Sequence, residues 1–213
     1  EVVLLFLHGY QATADELVPL AHALERVVSP HRAIQVLLPQ APGGCWWSIE
    51  WWSYLAQMFS SEASQAKFIR ATPAGVPEAR VKILELLAAV EAHARVPRSR
   101  IVLAGFSQGA MLALDATLAS DERLAAVIAV RGVLCAVEEW ARRRARRHRG
   151  LRVLQIHGMA DPMVPFDTAH WMRELLEKNG ARVTLLPHAG GHSFGPPQMI
   201  VSCASFLSSV PLS

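Results

Sequence analysis

The sequence predicts an α/β fold in which a mostly parallel sheet is covered by helices on both faces. Short apolar runs of strand length alternate along the chain with segments whose apolar residues recur at helical spacing. Such alternation is typical of parallel strands joined by crossover helices. The 213 residues are 52% hydrophobic and 18% charged, which favours one folded domain spanning 1–213 over a disordered chain.

The predicted strands are continuous apolar runs, as expected for strands that are buried on both faces. They are Val2–Leu7, 34–38, 101–104, 124–130, 153–156 and 183–186. The predicted helices run from Thr13 towards Val28, from Pro77 onwards, and over 111–118, 165–178 and 197–207. A capping box opens the first helix, and an Asn-Gly pair closes the helix at 165–178. The stretch 39–75 is predicted to be an irregular lid or pocket segment.

Composition and charge narrow the class of protein. No apolar run approaches the ~20 residues of a membrane-spanning helix. A net charge of +3 is too small to indicate a nucleic-acid partner. The basic run 142–149 has two interpretations: we favour the solvated face of a short surface helix, and the alternative is a surface that attracts an anionic membrane, phosphate or RNA.

The number and spacing of the cysteines indicate the redox state of the cellular compartment. Cys45, Cys135 and Cys203 are far apart and odd in number, and their spacing fits neither a disulfide scaffold nor a metal site. This pattern favours a reducing compartment, so we expect a cytoplasmic protein.

A nucleophile motif follows the predicted strand 101–104. The residues Gly105-Phe106-Ser107-Gln108-Gly109 form a G-x-S-x-G sequence that leads directly into a helix. In this strand–turn–helix context the turn is sharp, its neighbours must be small, and the serine hydroxyl is held above the sheet. The motif predicts Ser107 as a catalytic nucleophile.

A serine hydroxyl needs a base, and the base needs an orienting carboxylate. In an α/β-hydrolase fold the chain order is serine, acid, histidine. Asp161 follows the predicted strand 153–156 and is the expected acid, whereas Asp167 falls inside a predicted helix. Two histidines follow the last strand. We favour His192 as the base because the glycine pair before it lets the loop curl back, and His188 is the alternative.

Acyl transfer also needs N–H donors for the developing oxyanion. One expected donor is the backbone N–H of Gln108, directly after the nucleophile. The loop after the first strand should supply the other. Tyr10 is our candidate for this donor, with Gln11 as the nearby alternative.

The segment 43–59 is rich in aromatic residues and follows a strand, so it should approach the active-site end. One interpretation is a pocket for an apolar acyl or aryl group, and the other is a set of rings that fastens a long loop to the core. The candidate pocket residues are Trp46, Trp47, Trp51, Met159 and Met163.

Four motifs together resemble the phospholipase/carboxylesterase family, which includes acyl-protein thioesterases and small bacterial carboxylesterases. They are Leu7-His8-Gly9, Gly105-Phe106-Ser107-Gln108-Gly109, His157-Gly158-x-x-Asp161-Pro162-x-Val164-Pro165 and Gly190-Gly191-His192. The resemblance implies a triad of Ser107, Asp161 and His192, oxyanion donors at Tyr10 and Gln108, and neither a metal nor an organic cofactor.

The resemblance also implies hydrolysis of carboxylic esters or thioesters. The expected substrates are small molecules, acyl-proteins or lysophospholipids, and the expected assembly is a monomer or a weak homodimer. The alternatives are a lysophospholipase that acts on lipid surfaces and a non-catalytic binding protein on a hydrolase scaffold. Three features depart from the family pattern: the turn Tyr10–Thr13 lacks glycine, the segment 46–52 carries paired tryptophans, and one or more strands are expected to be missing before Val2.

Overall fold

The computed structural model describes residues 1–142 and 149–211 of the chain. Within these ranges one six-stranded sheet has the order β2-β1-β3-β4-β5-β6, and every neighbouring pair is parallel. The strands are β1 (Val2–Leu7), β2 (Ile34–Leu37), β3 (Ile101–Phe106), β4 (Ala126–Val130), β5 (Arg152–Gly158) and β6 (Arg182–His188). The predicted α/β class and parallel sheet are confirmed.

Helices cover both faces of this sheet. In the described ranges they are α1 (Val18–Val28), α2 (Trp51–Ser60), α3 (Glu62–Arg70), α4 (Val76–Ala94), α5 (Gln108–Ala119), α6 (Val137–Arg142), α7 (Asp167–Lys178) and α8 (Pro197–Ser208). None of the helices in the described part of the chain is long and apolar enough to cross a membrane.

The side chains of β1 show how the core is divided into two layers. Val3, Leu5 and Leu7 pack in one apolar cluster with residues of α4, α5 and α7. Val2, Leu4 and Phe6 pack in the other, with residues of α1 and α8. Successive residues of a strand point to opposite faces, so an entirely apolar strand of this kind fills both layers.

Two helices, α2 and α3, occupy much of the segment 39–75, where the sequence predicted irregular structure. The burial of Tyr54 and Met58, one turn apart on α2, shows that this helix has one apolar side that packs on the core. Ser61 separates the two helices. Its side-chain oxygen accepts a hydrogen bond from the backbone N–H of Ser64 at 3.2 Å and caps α3.

The first predicted helix also differs in detail. A 3₁₀ turn, Ala14–Leu17, precedes α1, and Pro19 lies in the first turn of α1, where a missing N–H is tolerated. The predicted capping interaction is present, because the backbone N–H of Thr13 donates to the Glu16 carboxylate at 3.0 Å. Of the predicted basic segment 142–149, residues 143–148 lie outside the described ranges.

Because all six strands are parallel, their carboxyl ends lie at one edge of the sheet. The loops that follow β1, β3, β5 and β6 therefore converge there, and these loops carry the residues predicted to be functional.

Candidate active site

Ser107 occupies the sharp turn between β3 and α5. Its backbone angles are φ 52° and ψ −116°, a combination that residues with a side chain rarely adopt. The Ser107 N–H donates to the carbonyl of Val130 at 2.8 Å and ties the turn to the end of β4. The serine thus lies at the carboxyl edge of the sheet, at the N-terminus of a helix.

Glycines flank this turn because the surrounding backbones nearly touch. A Cβ atom on Gly105 would lie 2.2 Å from the carbonyl carbon of Gly109, and one on Gly109 would lie 2.4 Å from the carbonyl oxygen of Leu7. No side chain fits at either position. The second contact also shows that the start of α5 packs directly against the end of β1.

His192 and Asp161 form a hydrogen-bonded pair after β6 and β5. His192 Nδ1 lies 2.8 Å from Asp161 Oδ2 and 3.1 Å from Oδ1. Because the carboxylate can only accept, Nδ1 carries the proton and Nε2 is the basic nitrogen. Ser107 and His192 line the same cleft, whose volume is about 410 Å³. We call it the active-site cleft.

Asp161 is held by several N–H groups. Besides His192, the backbone N–H groups of Met163 and Val164 donate to Oδ1 at 2.8 and 3.0 Å. Burial by itself would raise the pKa of this carboxyl. The hydrogen bonds from His192 and from the two backbone amides outweigh burial and hold the pKa of Asp161 well below its usual range. The other acid considered, Asp167, is exposed at the start of α7.

Arg131, which follows β4, is a site residue that the sequence reasoning missed. It is fully buried and has a φ of 58°. Its Nη1 donates to Asp161 Oδ2 at 2.8 Å, Nη2 lies 2.7 Å from His188 Nε2, and Nε donates to the Ser193 carbonyl at 2.6 Å. One guanidinium thus fastens the loops after β4, β5 and β6. The available signal was a charged residue directly after an apolar strand.

His188, the alternative base, contacts Arg131 rather than Asp161. Its Nε2 lies 2.7 Å from Arg131 Nη2 and its Nδ1 lies 3.1 Å from the backbone nitrogen of Gly190, and a neutral ring accepts a hydrogen bond at one of these two nitrogens. Burial and the charge of Arg131 lower the pKa of His188, which keeps the ring neutral. Gly158 makes room for this contact, since a Cβ atom there would lie 2.2 Å from the Arg131 guanidinium nitrogens.

The predicted oxyanion donors lie on two segments that meet at the active-site cleft. Gln108 is the first residue of α5, so its backbone N–H is one of those that an α-helix leaves without an intrahelical partner. Tyr10 and the alternative, Gln11, both line the active-site cleft in the loop after β1.

The side chain of Gln108 joins these segments to the tryptophan-rich stretch. Its Oε1 accepts from the backbone N–H of Trp46 at 3.0 Å, and its Nε2 donates to the carbonyl of Trp47 at 2.7 Å. The indole Nε1 of Trp46 donates to the His8 carbonyl at 2.8 Å, and the two rings pack 5.0 Å apart. Trp46 therefore bridges the loop after β1 and the start of α5.

The candidate pocket residues lie in different places. Met163 lines the active-site cleft. Trp47 is buried and lines a separate cavity of about 130 Å³. Met159 is 55% exposed. Trp46 is part of the bridge described above, and the side chain of Trp51 lies outside the described part of the structure.

Apolar groups form much of the active-site cleft wall. They come from Leu17, Leu20, Phe106, Met163 and Phe194. The volume falls within the range of ordinary small-molecule sites. Among the residues that the structure describes, His, Cys, Asp and Glu side chains form no cluster of three or more that could hold a metal ion.

A serine on a strained strand–helix turn, with a histidine–carboxylate pair at the same sheet edge, is the arrangement of the serine hydrolases with an α/β-hydrolase fold. This chain is an enzyme of that class. It belongs to the phospholipase/carboxylesterase family, whose model matches residues 1–210. Acyl-protein thioesterase 1 of Neurospora crassa is 28% identical to it over 200 residues, which are 89% of this chain and 79% of that protein.

Solved structures share the fold. Esterase PE8 matches with a TM-score of 0.77 at 26% identity, covering 99% of this chain and 93% of that one. SOBER1 of Arabidopsis thaliana matches with a TM-score of 0.78 over 97% of both chains; at 19% identity this is a likeness of fold alone. The predicted family, the α/β-hydrolase fold and the assignment as an ester or thioester hydrolase are confirmed.

Proposed function

We propose that this enzyme cleaves carboxylic esters or thioesters through a covalent acyl intermediate on Ser107. One observation carries the proposal. The strained Ser107 turn shares the active-site cleft with His192, whose Nδ1 lies 2.8 Å from a buried carboxylate. A histidine held in this tautomer offers Nε2 as a general base.

In the first half-reaction, His192 Nε2 takes the Ser107 proton as Oγ attacks the substrate carbonyl carbon. The Asp161 carboxylate stabilises the resulting imidazolium, and the backbone N–H groups of Tyr10 and Gln108 stabilise the oxyanion. When the tetrahedral intermediate collapses, the bond to the alcohol or thiol breaks and His192 gives its proton to the leaving group. Each oxyanion donor contributes roughly 3 kcal/mol to lowering the barrier.

In the second half-reaction, His192 activates a water molecule, which attacks the acyl carbon. The bond to Ser107 Oγ breaks, and the serine recovers its proton from His192. The acid product leaves and the enzyme returns to its starting state. Both half-reactions use the same base, the same acid and the same oxyanion donors.

Arg131 acts as a positioning residue in this scheme. Its guanidinium neutralises the buried Asp161 carboxylate and fixes its orientation, while the same Oδ2 atom accepts the proton of His192 Nδ1. An arginine suits this role because its planar fork bonds two acceptors at once. His188 and the Ser193 carbonyl hold the fork from the other side.

The active-site cleft favours an ester with an apolar acyl or alcohol group of modest size. Its walls are largely apolar, and its volume of about 410 Å³ suits a small molecule or one acyl chain. Acyl-protein and lysophospholipid substrates remain alternatives within the same chemistry. The three free cysteines support a reducing compartment such as the cytoplasm. Membrane contact through 142–149 and a monomer or weak homodimer stay predictions.

The experiment compares hydrolysis of p-nitrophenyl esters, from acetate to palmitate, by the wild type and by Ser107→Ala. We expect a short- or medium-chain optimum that disappears in Ser107→Ala. Ser193→Ala is the matched control, because Ser193 is exposed in the loop beside His192 and only its backbone carbonyl contacts Arg131.

A fluorophosphonate probe separates the alternatives. The proposal requires labelling of the wild type and of Ser193→Ala but not of Ser107→Ala. A folded wild type that neither turns over any ester nor reacts with the probe would make the chain a binding protein on a hydrolase scaffold. Turnover that survives Ser107→Ala would show that another residue is the nucleophile.

A further inference from the structure

A second groove lies at the opposite edge of the sheet from the active-site cleft. Its volume is also about 410 Å³. Four arginines line it together with neutral residues, and none of the lining residues in the described part of the chain is acidic. The arginines are Arg123, Arg149, Arg152 and Arg182. We call this the arginine groove.

The strand directions fix its location. Arg152 is the first residue of β5 and Arg182 the first residue of β6. The catalytic candidates follow the other ends of these strands. At about 3.3 Å per residue, the seven residues of β5 separate the two ends by roughly 20 Å. The arginine groove is therefore independent of the active-site cleft.

The arrangement concentrates positive charge. Arg152 and Arg182 are direct partners in the parallel register of β5 and β6, and like charges placed opposite one another destabilise a sheet. Burial, and then the charges of Arg182 and Arg32, lower the pKa of Arg152. The groove thus contains charge repulsion that a bound anion would relieve.

The described contacts of these guanidinium groups go to uncharged oxygens. Arg123 Nη2 donates to the Gly150 carbonyl at 2.7 Å. Arg152 donates to the carbonyl and the hydroxyl of Ser209, and its guanidinium carbon lies 4.9 Å from the centre of the Phe206 ring. These contacts orient the guanidinium groups without neutralising them, so their charge remains available to a ligand.

We propose that the arginine groove binds a small soluble anion that carries two or more phosphate groups. Guanidinium forks match phosphate oxygens in pairs, and four arginines line this one groove. A phosphorylated lipid headgroup has the same chemistry. We favour a soluble ligand because the groove is concave and has the volume of a small-molecule site, about 410 Å³.

Inorganic pyrophosphate tests the proposal. Its binding is measured by isothermal titration calorimetry and by thermal unfolding, without divalent metal and at an ionic strength held constant with NaCl. We expect saturable binding and a rise in Tm that follows the occupancy of the site. In the double variant Arg149→Gln/Arg182→Gln, binding should weaken by about tenfold or more, since two charge-assisted contacts are lost.

Controls separate this site from general charge effects. Arg26→Gln removes one exposed arginine on α1 and should bind pyrophosphate like the wild type. The double variant should keep its ester hydrolysis, because the arginine groove is remote from Ser107. Activity thus reports on the proposed catalytic site, and calorimetry reports on the groove.

Three results would overturn the proposal. One is a Tm rise that sulfate or NaCl reproduces at the same ionic strength. Another is an unchanged pyrophosphate affinity in the folded double variant. The third is binding to phosphatidylcholine vesicles that contain phosphatidylinositol 4,5-bisphosphate with no binding of pyrophosphate, which would place the phosphate on a lipid.

Discussion

The guanidinium of Arg131 and the carboxylate of Asp161 lie 2.8 Å apart, and both side chains are fully enclosed by the protein. The carboxylate oxygen that accepts from Arg131 also lies 2.8 Å from His192 Nδ1. One anionic oxygen is therefore shared between a permanent cation and the histidine that would become a cation during the reaction. The position of the Asp161 carboxylate relative to His192 therefore depends on its contact with Arg131.

The contacts of Arg131 predict a catalytic defect for Arg131→Met. Without the guanidinium, Asp161 loses a hydrogen-bond donor that holds its carboxylate beside His192 Nδ1. We expect kcat to fall by roughly tenfold to a hundredfold with little change in KM, because the pair is less well positioned. Steady-state kinetics on one p-nitrophenyl ester measures this split, and His188→Gln and His157→Gln are compared because both histidines also face the ion pair.

The same variant tests the structural cost of the ion pair. Removing one partner of a buried pair costs about 3–5 kcal/mol of unfolding free energy. Arg131→Lys keeps the charge but loses the planar fork, so it should lose less stability and less kcat than Arg131→Met. Folded Arg131→Met and Arg131→Lys enzymes that both keep the wild-type kcat would show that Arg131 supports the fold alone.

The two histidines after β6 should respond differently to the same substitution. His192→Gln removes the proposed base and should lower kcat by roughly 10⁴-fold or more, the size of effect seen when a triad histidine is removed. His188→Gln keeps a polar group beside Arg131 and should lower kcat by less than about tenfold, since His188 contacts no substrate in the proposed mechanism. Steady-state kinetics on one p-nitrophenyl ester decides between them. A larger loss of kcat in His188→Gln than in His192→Gln would indicate that His188 is the catalytic base.

Much of the fold could be predicted because its strands are buried on both faces. An apolar run such as Val2–Leu7, short and without helical spacing, has few alternatives to a strand buried on both faces. The G-x-S-x-G turn is recognisable because only glycine fits where the backbones touch. The helices α2 and α3 could have been predicted, because each has an apolar side at helical spacing. They were missed because the aromatic residues of 43–59 were interpreted as the lining of an irregular pocket segment.

Arg131 could not be predicted because its partners are distant in sequence. It meets Asp161, His188 and Ser193 only when the loops after three neighbouring strands come together. Trp46 shows the same limit. Its indole ring suggested a pocket wall, but its N–H donates to a backbone carbonyl of the loop after β1, a contact without any local sequence pattern.

The bridge through Trp46 predicts an effect on the proposed oxyanion site at Tyr10. Trp46→Phe keeps an aromatic ring but deletes the indole N–H that donates to the His8 carbonyl at 2.8 Å. Loss of this bond should loosen the loop that carries Tyr10 and cost about 1 kcal/mol in unfolding free energy. We expect kcat to fall by roughly fivefold to tenfold with little change in KM, because the donor acts in the transition state.

Trp47→Phe is the matched control for this prediction. Trp47 belongs to the same segment, but its ring lines the separate cavity and not the active-site cleft. Its substitution should leave kcat close to the wild-type value. If both variants lose kcat equally, the tryptophan segment acts through its general packing, and the specific contact between Trp46 and His8 has no role in catalysis.

His157 predicts how stability depends on pH. This histidine lies near the end of β5 and is fully buried, and its Nε2 lies 3.0 Å from the Val164 carbonyl. Its Nδ1 is buried with no hydrogen-bond partner among the described residues. Burial is the largest cause that lowers the pKa of His157, and the charge of Arg131 acts in the same direction. The folded protein therefore keeps this ring neutral.

The sign of the effect follows from these protonation states. An unfolded histidine binds a proton below pH ~6.5, whereas folded His157 does not until the pH is lower. The contribution of neutral His157 to the unfolding free energy should therefore be complete above about pH 6.5. It should decrease as the pH falls towards the pKa that His157 has in the folded protein. Asp161 contributes a similar loss only in much stronger acid, because its folded pKa lies below its unfolded value.

His157→Gln tests this prediction, because the glutamine amide can donate to the Val164 carbonyl without titrating. Urea unfolding is measured at about pH 7.5 and about pH 5.5, on either side of the unfolded histidine pKa. The difference in unfolding free energy between the two pH values should be smaller in His157→Gln than in the wild type. The exposed histidine of α1 supplies the control, since His22→Gln should keep the wild-type difference. An unchanged difference in His157→Gln would assign the acid sensitivity to other groups, of which buried His188 is the next to test.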